Sequence, residues 1–162
     1  MKALFLGVAL CSVVLASAGP AVAKEGSGAK GKRGTHAEAE TMVRKAVALI
    51  KAKGQDKAFA EIDNPKGPFV DRDMYISVFD MNGVCRSHGY NAKMIGKNML
   101  DLKDPDGRPM VKERVELAKT QDKFWQRGYK FVDPLTKTIM RKDMYVEKVG
   151  EVVVCCGVFQ DE

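Results

Sequence analysis

The 162-residue chain is poor in the side chains that build metal and thiol centres. It has two histidines, His36 and His88, and four cysteines, of which Cys11 lies in a leading apolar run. A zinc site short of histidine needs cysteines at C-x2-C spacing, and the adjacent Cys155 and Cys156 do not provide it. Neither a metal nor a cofactor is expected. The other three cysteines, Cys85, Cys155 and Cys156, are an odd number, so at least one thiol lacks an intramolecular partner and no disulfide framework organises the fold. The body of the chain also lacks a basic excess. Of the net charge of +6, residues 24–34 carry four basic residues and one acid, and Lys2 adds another cation, which leaves residues 35–162 at +2. That near balance argues against a nucleic-acid partner.

No second long hydrophobic run follows the first. Lys2, the apolar residues 3–18 and the small-x-small Ala21-Val22-Ala23 before Lys24 predict a signal peptide over 1–23. The run is shorter than the roughly 20 residues that span a bilayer, which favours cleavage over an anchor. The Gly/Lys stretch 24–34 reads as a flexible basic leader. Residues 35–162 then form one domain, placed in the periplasm or secreted.

In the body, Thr35 and Glu38 form a capping-box pattern, and Met42, Val43, Ala46, Val47 and Ile50 draw one apolar stripe along a helix that stops at Gly54. A short helical piece at 56–62 ends at NPKGP. Strands are predicted at 74–80 and 83–88 around an Asn82-Gly83 turn in which both residues would take positive φ. A loop punctuated by Gly96, Pro105 and Gly107 leads to a helix at 111–120, and strands follow at about 124–132, 137–147 and 151–159. This order predicts an α+β fold, a five-stranded antiparallel sheet covered by the long helix and by the helical crossover after the first hairpin.

Cys85, Arg86 and His88 suggest a thiol centre. Strand alternation, however, sets Cys85 and His88 on opposite faces and puts Arg86 beside His88. LKDPDGRPMVKE resembles a calcium loop but has Leu102 at its first ligand place, so it reads as a turn before a helix. Cys155 and Cys156 sit in an apolar strand next to Gly157, as core residues do; a disulfide to Cys85 requires neighbouring strands. Tyr75, Arg86, His88, Trp125, Tyr129, Lys142 and Tyr145 together offer cationic donors, hydroxyls and flat walls, the inventory of a pocket for a small carboxylate-like ligand. No nucleophile, base and orienting group fall together, so no enzyme is expected. The alternative is a thiol-bearing periplasmic interaction or redox accessory protein, which requires a reactive cysteine at the surface.

Three blocks, KAFAEIDNPKGPFVDRDMYISVFDMNG (57–83), SHGYNAKMIGKNMLDLKDPDG (87–107) and YKFVDPLTKTIMRKDMYVEKVGEVVVCCGVF (129–159), resemble the single Cache domain of the second type. The resemblance runs from about Glu40 to Phe159. It implies a PAS-like sheet, a sensory pocket between the sheet and the segment after the first hairpin, and Tyr75, His88, Trp125, Tyr129, Lys142 and Tyr145 as its residues. FWQRGYKF holds one residue more between Trp125 and Tyr129 than the family pattern, and Phe131 stands where a second tryptophan is common. The chain stops at Glu162, just past the last strand, so the expectation is a binding module with no signalling domain of its own. Its expected protein partners are a membrane-bound signalling protein or a second copy.

Overall fold

The computed structural model describes residues 33–160; the expected signal peptide, Cys11 and most of the basic leader lie outside them. Helix α1 (His36–Lys53) starts at the expected capping box, with the Glu38 amide donating to Thr35 Oγ1 and the Thr35 amide to Glu38 Oε2. Gly54, at φ 80°, breaks it from α2 (Gln55–Ile62). Strands β1 (Val70–Asp71), β2 (Met74–Asp80) and β3 (Cys85–His88) come next. Helix α3 (Met110–Leu117) precedes β4 (Lys123–Val132), β5 (Ile139–Val149) and β6 (Val152–Phe159). All pairings are antiparallel.

The spatial order is β2-β6-β5-β4, and β1 and β3 both pair with β2. The five expected strands are present, and the two-residue β1 is an addition that was too short to register as a pattern. Alternation divides the sheet into two faces. Met74, Ile76, Val78, Tyr145, Val152, Val154, Cys156 and Val158 pack under α1 and α2. Phe79, Cys85, Phe124, Tyr129, Met144, Val146, Val153 and Cys155 form the opposite core with Met110, Val111 and Val115 of α3.

Three local departures decide which side chains reach which face. The first turn is not the two-residue form expected. Asp80 N–H donates to Val84 O, Gly83 N–H donates to Asp80 O, and Gly83 (φ 75°) is the loop's left-handed residue. Secondly, β3 carries a bulge: Ser77 pairs with His88 and Val78 with Ser87, but Phe79 pairs with Cys85, so Arg86 is the extra residue. Thirdly, β4 carries a bulge between Gln126, paired with Met144, and Tyr129, paired with Lys142. Arg127 and Gly128 together stand opposite Asp143 there, with Gly128 at φ 70° and its amide held by Asp143 Oδ1 at 2.9 Å.

Candidate ligand-binding site

The face opposite α1 contains a small chamber of about 40 Å³, walled by Tyr75, Ser77 and Phe79 of β2, His88 of β3, Arg114 of α3, Tyr129 and Phe131 of β4, and several methionines. An outer recess of about 270 Å³ lies against it and shares Tyr75, His88, Met94 and Phe131 as the partition.

Tyr75 is the centre of that partition. Its ring stacks on His88 at 5.0 Å and on Tyr90 at 5.4 Å, and its hydroxyl accepts from Lys142 Nζ at 3.0 Å. The Lys142 side chain reaches it from β5 by crossing β6 over Gly157, where any Cβ would overlap its Cε. Lys142 is fully buried, among the rings of Tyr75, Phe159 and Phe131, and forms no ion pair among the described residues. Burial lowers its pKa.

His88 is placed through its backbone. The carboxylate of Asp63, just past α2, accepts from the His88 amide at 2.9 Å and from Ser87 Oγ at 2.6 Å. His88 Nδ1 accepts from the amides of Tyr90 and Asn91, so Nε2 carries the proton and is the ring's donor. Burial, followed by the charge of Lys142, brings the imidazole pKa down to about 4, which keeps it neutral at pH 7. Tyr129 is 2 % exposed; burial pushes its hydroxyl up to about 12, and that hydroxyl has no hydrogen-bond partner among the described residues.

Arg114 is the chamber's cation and was not among the residues expected. It is 2 % exposed; Nε and Nη2 both donate to Gln126 Oε1, at 3.1 and 3.0 Å. The Gln126 amide is anchored on Met110 O and Glu113 Oε2, and the guanidinium lies against the rings of Phe79 and Tyr129. Arg114 forms no ion pair among the described residues, and none of the residues lining the chamber is acidic. The helix's own phase could have found it, because Met110, Val111, Arg114, Val115 and Ala118 share one face.

Of the seven residues expected, Tyr75, His88 and Tyr129 line the chamber and Lys142 stands behind Tyr75. Three are elsewhere. Arg86 is extruded by the β3 bulge into solvent, 3.6 Å from Asp80. Trp125 and Tyr145 pair across β4 and β5 on the α1 face, where Trp125 Nε1 donates to Glu40 and its ring packs on His36. The β4 bulge is the reason, since without it Trp125 and Tyr129 would share a face.

The same geometry corrects the parity argument in β3: Cys85 and His88 lie on one face and Arg86 leaves it. No hydrogen bond joins Cys85 to His88. Burial raises the thiols of Cys85, Cys155 and Cys156 to about 12, 11 and 12, and all three are free and fully buried. Strand β2 lies between Cys85 and both others. Asp104, in the loop that resembles a calcium site, accepts from the amides of Asp106, Arg108 and Lys130. The chamber can therefore present hydrogen-bond donors and positive charge to a small molecule, but among the described residues it holds no paired nucleophile and base.

No curated protein sequence matches the chain. Among solved structures it is similar to a methyl-accepting chemotaxis protein from Vibrio parahaemolyticus RIMD 2210633, at 19 % identity and TM-score 0.65 over 77 % of this chain and 88 % of that one. It is similar to a Cache chemosensory domain solved for the structural basis of its carboxylic acid recognition, at 25 % identity and TM-score 0.62 with the same coverage. A periplasmic sensor domain of a chemotaxis protein matches at 18 % identity and TM-score 0.61, over 77 % of this chain and 90 % of that one. The α+β, PAS-like architecture expected from the sequence is the one these domains share. The family model described as Single Cache domain 2 matches residues 21–162, and this chain belongs to that family of ligand-sensing domains.

Proposed function

We propose that this chain is an extracytoplasmic sensory module that binds a small monocarboxylate in the inner chamber, with Arg114 as the group that receives the carboxylate. One observation carries the reading: a buried guanidinium on the chamber wall with no acidic partner among the described residues. A buried charge left uncompensated costs several kcal/mol, and a ligand carboxylate relieves that cost where a neutral ligand does not. His88 Nε2 and the Tyr129 hydroxyl supply neutral donors on the same wall. The carboxylic acid recognition described for one similar domain supports the class.

The lining narrows the choice further. With no acid to receive an ammonium, amino acids are disfavoured, and with one guanidinium on the wall, a second carboxylate would be buried unpaired. A water-sized group occupies roughly 10–15 Å³ by the same measure, so the chamber holds about three such groups. Its methionines, Met94, Met99, Met110 and Met144, can rearrange around a ligand slightly larger than that. The likeness to chemotaxis sensor domains supports a membrane-bound signalling partner as the recipient of the ligand-bound state.

A thermal-shift series on unfolded and refolded protein, free of carried-over ligand, tests this. Acetate and propionate should stabilise the fold, by about 2.7 kcal/mol at a hundred times their dissociation constant. Acetamide and alanine should not. Equal stabilisation by acetate and acetamide would refute a charge-based site.

A further inference from the structure

Among the described residues, the large apolar side chains at the surface are Tyr90, Val132, Leu135 and Ile139, each 45–56 % exposed. Isolated exposure of this kind is ordinary, but these four form one patch. Val132 pairs with Ile139 across the β4–β5 hairpin, and Leu135 sits in its connecting turn. Tyr90 joins through Lys137, whose Nζ donates to its hydroxyl at 2.6 Å and lies over its ring. We propose that this hairpin tip is a surface that docks on an anionic lipid bilayer.

Three features favour lipid. The tip is a turn braced by its own hydrogen bonds. The Asp133 carboxylate accepts from the amides of Leu135 and Thr136 and from Thr136 Oγ1, which fixes Leu135 outward. Its charge is one-sided: Asp133 is the sole acid between Lys130 and Lys142 and is buried against Arg33, whereas Lys137 and Arg141 are exposed. Aliphatic side chains flanked by cations are the makeup of segments that lie in a headgroup layer. Finally, both ends of the described chain meet here. Arg33 Nη2 donates to Asp133 at 3.1 Å, and the Gln160 amide donates to Arg141 O at 3.0 Å. Fourteen residues separate the apolar run 3–18 from Arg33. A second copy is the weaker candidate, because the patch exposes on the order of 350 Å² against the roughly 800 Å² per partner of a stable interface.

The experiment uses the exported protein as the cell yields it, with vesicles of equal parts phosphatidylglycerol and phosphatidylcholine. The protein should float with these vesicles, and Leu135→Asp, a change at an exposed turn position, should lower the bound fraction at least fivefold. Independently of how the chain is processed, Leu135→Trp should gain emission that brominated phospholipid quenches more strongly than that of Trp125. Unchanged flotation of Leu135→Asp together with no preferential quenching at position 135 would overturn the proposal. So would concentration-dependent self-association without vesicles that Leu135→Asp abolishes, since the occupant would then be a second copy.

Discussion

Gly157→Ala is the smallest change that should disturb the partition between the chamber and the outer recess. The added Cβ would overlap Lys142 Cε and stand 3.0 Å from its Cδ. The amine would then have to leave the groove and give up its 3.0 Å hydrogen bond to Tyr75. A hydrogen bond to a charged group contributes about 1.5–3 kcal/mol, and forcing extra volume into a packed core costs about 1–3 kcal/mol. Partial relief by side-chain movement brings the expected loss to roughly 2–4 kcal/mol, read from the urea midpoint at pH 7 with an unchanged m-value. The cause is tested by Lys142→Ala in the Gly157→Ala background. With the obstructing chain gone, the alanine at 157 should be tolerated, giving a favourable coupling of at least about 1 kcal/mol in the double-mutant cycle. A loss below about 0.5 kcal/mol for Gly157→Ala, or additive effects in the cycle, would refute the reasoning.

Other outcomes follow from the same geometry. His88 titrates near 6.5 when unfolded but near 4 in the fold, so the unfolded state takes up its proton first; stability should fall by roughly 3 kcal/mol as pH drops from about 6.5 to 4, level off below that, and lose this limb in His88→Gln. Asp133 is opposed by burial, but the Thr136 hydroxyl, backbone amides and Arg33 hold its carboxyl at about 2; its contribution, present above pH 4, should disappear between about pH 4 and 2 and persist in His88→Gln, as equilibrium unfolding followed against pH would show. Arg86→Ala, at an exposed bulge residue, should change stability by less than about 0.5 kcal/mol and ligand affinity by less than about twofold in calorimetric titration. In the folded domain, Cys85, Cys155 and Cys156 should react with an aromatic disulfide reagent at the rate of opening; fast labelling of any of them would revive a redox role.

The elements were legible in the sequence because their signals are periodic and local. The capping box at Thr35 and the stripe from Met42 to Ile50 have helical spacing, and the five longer strands are runs of apolar, β-branched and aromatic residues bounded by turn signals. Of the site, Tyr75, His88 and Tyr129 are the chamber residues that the family resemblance also implies, whereas strand parity failed wherever a bulge intervened. Bulges at Arg86 and at Arg127-Gly128 each insert one residue, and a single insertion sends every later side chain to the other face. Arg86 was thus assigned to the pocket and Cys85 away from it, and Trp125 was grouped with Tyr129. No composition signal marks a bulge in CRSH; in WQRGY the glycine and the extra residue were the visible trace. Arg114 was passed over for a different reason, because an arginine in VKERVELAKT reads as a solvated helix residue unless its phase is followed.

The central claim is that a negatively charged ligand binds at Arg114, and a crystal structure of the protein with bound propionate tests it most directly. The account predicts carboxylate oxygens within hydrogen-bond distance of the Arg114 guanidinium, with the aliphatic end among Met94, Met99 and Met144 and Tyr75 still stacked on His88. A carboxylate seated on the α1 face beside Trp125 and Tyr145, or at the surface beside Arg86, with Arg114 untouched, would contradict it.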